Sequence, residues 1–465
     1  MIRPCFFHST LNSLFLVAAT FASAGTPTQT PPPTPAPPSS GIEAFFTQDY
    51  LLGTWGGKRT ALKEQGIDME AIYFGSLPTN FAGGISEETA YQQGLLMILD
   101  LDLDKLISWK GAQIHAGGVW LDGDPFSEIA VGDFNKSSLL DLPQGWRLWE
   151  LYFQQKLLDD RLTIKLGQMA VDRDFIVPEF YNSLSSINFL NQTFFFPTLA
   201  FNLYDIPGLP TGSHSLPSTP YGSLGALVKW QATPRVYVQA AVYDGYPDQK
   251  DGTSYDLTKD QGALIYSEIG YRHNMEEGDA GLPGSYKLGG FYHTDEFYDV
   301  YDAIGGLFGF AKGTQSPHEG NYGAYFLAEQ MLRRETDKSD PAQQGLTGFF
   351  RLTAAPSDRN LTEFGVDGGF VFKGLIPGRD WDTLGFGASY LKMSDDIKRA
   401  QRAANRVLPG AFVVSDYEAV IELNYKLQVA AWWTLQPSLQ YAIHPGGSSA
   451  IDNAWIFAVQ TTVRF

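Results

Sequence analysis

The residues able to do chemistry gather in one stretch. Between Gly167 and Tyr221 stand Gln168, Asp172, Arg173, Asp174, Phe175, Glu179, Asn182, Asn188 and Asn191, interleaved with aromatics. Opposite charges at Arg173 and at Asp172 or Asp174 can set a transverse field across a narrow passage. The amides can replace water around a polar solute, and an aromatic face such as that of Phe175 can contact its apolar side. The competing reading is structural, with the same groups pinning a long loop to its support. Upstream, Glu150, Tyr152 and Gln154 share the polar parity of their segment and should face the same interior. Arg147 has the opposite parity and is expected at an interface. Nothing here suggests covalent chemistry. The chain has no G-x-S-x-G, H-E-x-x-H or G-x-x-x-x-G-K-[ST] motif, and its seven His are scattered, His8 among them. No enzyme activity, metal site or cofactor is expected.

The elements that must position these residues are strands. Trp455 to Phe465 reads WIFAVQTTVRF. Trp455, Phe457, Val459, Thr461, Val463 and Phe465 fall on one parity, and Ile456, Ala458, Gln460, Thr462 and Arg464 on the other, so one face is mostly apolar and the other mixed to polar. That is the period of a strand with one apolar face. Glu418 to Gln428 and Trp433 to Tyr441 alternate in the same way. Sixteen such segments, centred from Tyr73 and Met97 to Leu435 and Phe457, are bounded by Gly, Pro, Asp or Asn. No amphipathic helices are expected between them to cover the apolar side. Lipid is the simplest cover, and closure removes the unpaired edges that lipid does not tolerate. An even strand number suits a closed antiparallel single-chain barrel. Short turns at Asp159-Asp160 and Thr233-Pro234 contrast with long stretches at Gly167–Tyr221, Tyr292–Asn321 and Lys392–Asp416, which is the asymmetry of outer-membrane barrels. Trp432, Trp433 and Trp455 are expected in an interfacial girdle.

The amino terminus reads as an export signal. Arg3 precedes the apolar run Leu11 to Phe21, and Ala22-Ser23-Ala24 is a small-residue cleavage site. The run is shorter than the ~20 residues that a helical span needs. Residues 1–24 are therefore expected to be removed, and 25–44 to form a Pro-rich periplasmic spacer, with Thr26 to Ser40 extended and semi-rigid. The spacer could contact the cell wall. Residues 45–465 are left for the barrel. The single cysteine, Cys5, lies in the leader, so the mature chain has neither a disulfide nor a thiol nucleophile. With 51 acidic against 33 basic residues and a net charge of −18, the chain is a poor candidate for nucleic acid.

Three blocks resemble a known family. Leu52-Gly53-Thr54-Trp55-Gly56-Gly57-Lys58-Arg59 matches an LxGDWGGxR pattern, with Thr54 where Asp is usual. A brief helix from Thr60 to Gln65 and then Gly66-Ile67-Asp68 follow it. Arg59 is expected to serve structure, capping the helix region. The second block is Leu139-Leu140-Asp141-Leu142-Pro143-Gln144-Gly145 with Leu148 to Gln155. The third is Leu166-Gly167-Gln168-Met169 with Asp172 and Phe175, then Phe189-Leu190-Asn191. Together they resemble the carbohydrate-selective porins of the OprB type. The resemblance implies an all-β, 16-stranded antiparallel transmembrane β-barrel with inward-folded constriction loops and a short N-terminal helix. It also implies facilitated diffusion of monosaccharides such as glucose, with some ions, across the outer membrane of a Gram-negative bacterium. The implied partners are carbohydrate and outer-membrane lipid, and the implied assembly is a monomer or a homotrimer. The constriction set carried forward is Glu150, Gln168, Asp172, Arg173, Asp174, Phe175 and Asn182. The other readings are a general or structural barrel, adhesin or barrel enzyme, without sugar selectivity.

Overall fold

The computed structural model describes residues 41–465 except 183–186, 197–216, 249, 256–260, 277, 313–316 and 336–342. The expected signal and most of the spacer lie outside the described residues. In chain order the elements are α1 (Gly41–Thr47), α2 (Lys58–Glu64), β1 (Ile67–Gly84), β2 (Gln92–Asp102), α3 (Leu103–Ile107), β3 (Ala112–Gly123), β4 (Gly145–Leu157) and β5 (Leu162–Met169). Then come β6 (Ser223–Gln231), β7 (Val236–Asp244), β8 (Ala263–His273), β9 (Gly284–Tyr298), α4 (Val300–Phe308), β10 (Pro317–Arg334) and β11 (Gly345–Ala354). The chain continues with β12 (Thr362–Lys373), β13 (Thr383–Met393), α5 (Asp395–Val407), β14 (Tyr417–Ala430), β15 (Trp433–Ile443) and β16 (Asp452–Arg464). Every expected strand centre falls inside one of these strands.

Each strand pairs antiparallel with its sequence neighbours, and β1 pairs with β16, closing the barrel. The period-2 pattern decides which way each residue points. In β14 Ile421 and Leu423 are exposed on the outer wall, while Glu418, Glu422 and Asn424 are buried inside. Leu439 pairs with Phe457 on the outside, and Gln436 with Gln460 on the inside. The outward apolar band has no protein cover among the described residues, as a lipid-facing wall requires.

The two ends of the barrel differ. Turns 158–161, 232–235 and 431–432 are short and lie at the end that also holds the chain termini. The opposite end carries the long connections 124–144, 170–222, 299–316 and 394–416. Arg59 fastens the termini together. Its guanidinium donates to Phe465 O and Met69 O, both at 2.6 Å, and lies 3.3 Å over the Tyr50 ring. Its structural role is thus visible in the contacts. Gly66 ends the α2 region with φ +98°, where a Cβ would stand 2.8 Å from Asp102 O.

Four local features depart from the expectations. The boundary at 44/45 falls inside α1, whose Phe45 and Phe46 rings pack on Trp432. Trp432 is consequently buried, whereas Trp455 is exposed and stacks with Phe81. Arg147 faces inward, because β4 bulges at Trp149 between its pairs with Gly117 and Gly118, which resets the parity. Finally, α4 and α5 are helices within long loops. They pack on each other through Val300, Ile304, Ile397 and Ala400, not on the outer wall.

Candidate functional site

The long connection after β5 turns into the barrel, and inner-wall carboxylates hold it there. Glu329 of β10 accepts from the backbone N–H groups of Glu179 (2.6 Å), Phe180 (2.7 Å) and Tyr181 (3.0 Å). Glu422 of β14 accepts from Leu190 N at 2.8 Å and Asn191 N at 2.9 Å. Glu268 of β8 reaches Ile176 N at 3.3 Å. Side chains from other strands hold the loop's carbonyls: Gln239 donates to Asp174 O, Lys287 to Val177 O, and Arg351 to Thr193 O. The neighbouring connection 124–144 is fixed likewise, with Glu418 accepting from Phe134 N and Asn135 N. Each buried carboxylate satisfies backbone donors that would otherwise lie unpaired away from water.

The expected site residues separate into two groups. One is a charged line on the wall of β2 to β5. Asp100 lies 2.8 Å from His115 Nδ1, and His115 Nε2 lies 3.6 Å from Glu150. Arg173 Nε lies 3.4 Å from Glu150, with its guanidinium 5.1 Å over the Trp149 ring. Next to it Lys165 donates to Asp174 at 2.7 Å and lies over Tyr152. Opposite charges alternate along the line, and Arg173 and Asp174 keep part of their side chains accessible, 15% and 13%.

The other group holds the loop. Gln168 donates to Leu148 O at 2.7 Å and accepts from the Tyr255 hydroxyl at 2.6 Å. Asp172 accepts from Thr219 N at 3.0 Å and Thr219 Oγ1 at 2.6 Å, joining the start of the loop to its end. Burial pushes its carboxyl up to about 6, against the opposing effect of the Thr219 bonds. Phe175 is fully buried, its ring 5.2 Å from that of Tyr266. Asn182 accepts from Asn188 N at 2.9 Å, far along the loop from Arg173. Glu179 is gripped by Arg272 and Lys287, each at 3.2 Å. Burial alone would raise its carboxyl, but these two cations outweigh it and hold it low.

Sequence reasoning did not single out Asp100, His115, Lys165 or the glutamates Glu268, Glu329, Glu418 and Glu422. A signal was present for the glutamates: Glu268 is the one acid of β8, and Glu418 and Glu422 share the inward parity of β14. Among the described residues no cluster of His, Cys, Asp or Glu has the makings of a metal site.

A closed sixteen-stranded barrel with a lipid-compatible outer wall and loops folded into its lumen defines an outer-membrane porin. The model for the carbohydrate-selective porin family OprB matches residues 86–465, and the chain belongs to that family. It is therefore a channel, not an enzyme. Porin B of Pseudomonas aeruginosa is 29% identical over 91% of this chain and 93% of its own length. The putative porin QuiX of Acinetobacter baylyi is 25% identical over 90% of this chain and 94% of its own. The high-pH structure of Pseudomonas putida OprB superposes with a TM-score of 0.78 at 25% identity, covering 90% of this chain and 99% of that one.

Proposed function

We propose that this protein passes monosaccharides such as glucose, and some ions, across the outer membrane of a Gram-negative bacterium by facilitated diffusion. The observation that carries the reading is the inward loop of a carbohydrate-selective porin family member, anchored to β8, β10 and β14, with the charged line Glu150–Arg173 and Lys165–Asp174 beside it. In this reading Arg173 and Asp174 exchange hydrogen bonds with sugar hydroxyls. Glu150, Gln168, Asp172, Phe175 and Asn182 fix the loop that narrows the passage. Charged donors and acceptors suit a polyhydroxylated solute because they replace its water at weak, reversible contacts. Residues 1–24 act as the export signal, and residues 25–44 as a Pro-rich periplasmic spacer that can contact the cell wall.

The test is single-channel conductance of the mature protein in a planar bilayer, titrated with glucose. Stepwise conductance that glucose blocks saturably is the expected result. Stepwise conductance indifferent to sugars removes the monosaccharide claim, and correctly folded protein without channels removes the pore.

A further inference from the structure

Part of the inner wall of this acidic protein is basic where a solute can touch it. Toward the end that holds the chain termini, inward side chains of alternate strands are basic. Lys229 of β6 stands in register between Thr163 and Gln239, and its ammonium lies 4.2 Å from the centre of the Tyr237 ring. Arg272 of β8 lies over the same ring at 5.4 Å. Across the lumen Lys373 and Lys426 flank Thr383 in register, and Thr383 itself bonds Asn188 of the inward loop. All four cations are only partly buried.

The carboxylates on the same walls are out of reach. Glu268 accepts from the Tyr237 and Tyr325 hydroxyls and from Gln239, Glu329 and Glu422 hold loop backbone, and Asp367 pairs with Arg351. None of the four is more than 6% exposed. Glu179 is shared by two cations, and Lys229 makes no ion pair among the described residues. A solute carboxylate or phosphate thus meets charge-assisted donors here, whereas the carboxylates of Glu268, Glu329, Glu422 and Asp367 are buried and already bonded.

We propose that this inner half of the lumen is a recognition site for carbohydrates carrying an anionic group, such as sugar acids. The inference rests on the proposed sugar pore and names the substrate class of that pore. Exposed acids flank both mouths, among them Glu87, Glu88, Asp122 and Asp395 at the long-loop end and Glu64, Asp104, Asp159 and Asp160 at the end that holds the termini. Within the lumen an anion is therefore attracted to the half lined by Lys229, Arg272, Lys373 and Lys426.

The experiment compares sodium gluconate with glucose as blockers of single channels, each added from either side of the bilayer. Gluconate is expected to half-block at about a tenfold lower concentration than glucose, the effect of one added charge-assisted contact. Lys229→Gln and Lys426→Gln should each reduce this difference, while Lys229→Arg keeps it and shows that the barrel tolerates substitution there. Glucose block with gluconate equal or weaker overturns the anionic-site inference and leaves the sugar pore standing. Absence of block by either solute overturns both.

Discussion

At the scale of single residues, buried charge decides the behaviour of the loop. Asp172 ties Thr219 back to the loop start, and its carboxyl is pushed up to about 6 by burial. A folded value above the unfolded one means that protonation favours the folded loop. That contribution is complete below about 4 and is lost as pH rises through about 6. Asp172→Asn, which keeps one acceptor for Thr219, should remove this part of the pH dependence. Protease resistance of the loop, measured between pH 4 and 7 in wild type and variant, checks it. A wild-type loop that becomes more resistant across this range as pH rises contradicts the assignment. Glu179 works in the opposite sense, since Lys287 and Arg272 hold its carboxyl low despite burial, so its contribution is lost as pH falls. The sequence put both residues in the right loop. It could not tell pinning from lining, because that depends on which wall each one meets.

At the scale of elements, the inward loop is a long connection held by distant strands. Glu329 satisfies three consecutive N–H groups with 150 to 148 residues between partners. Glu329→Gln replaces a charged acceptor by a neutral one bearing a donor that finds only other donors. It should cost about 1–3 kcal/mol of loop attachment. The expected signs are noisier single-channel current and proteolysis within 170–222, with the barrel intact. Unchanged noise and resistance would show that the loop does not depend on this anchor. The strands themselves were readable from the alternation of residue types. The parity of Arg147 was not, because one bulge at Trp149 inverts every position upstream of it in β4. Nor were α4 and α5 foreseen. Asp395 to Val407 carries a helical pattern, but a search for strands passes over it.

At the scale of the whole molecule, closure is what lipid demands, and the two chain ends meet at the seam. β1 pairs with β16, and Arg59 bonds Phe465 O and Met69 O across it. Arg59→Ala leaves both carbonyls without this donor and should lower stability by about 2–4 kcal/mol, given two hydrogen bonds from a charged group. The check is the temperature at which the folded band on an unboiled gel converts to the unfolded one, which should fall. Reducing agent should not shift it in either protein, since Cys5 is the chain's only cysteine.

The sequence by itself determined the class of fold, the strand number and, away from bulges such as that at Trp149, the direction in which wall residues face. These depend on consecutive residues, whose two-residue period is written along the chain. It also located the loop that enters the lumen, through its length and its density of polar and aromatic groups. Only the tertiary structure decided what that loop meets: Glu150 beside Arg173, Glu329 under Glu179, and Lys229 and Arg272 over one tyrosine ring. Such contacts join strands far apart in the chain. They come into being when the sheet closes on itself, and no local pattern records which residues closure will bring face to face.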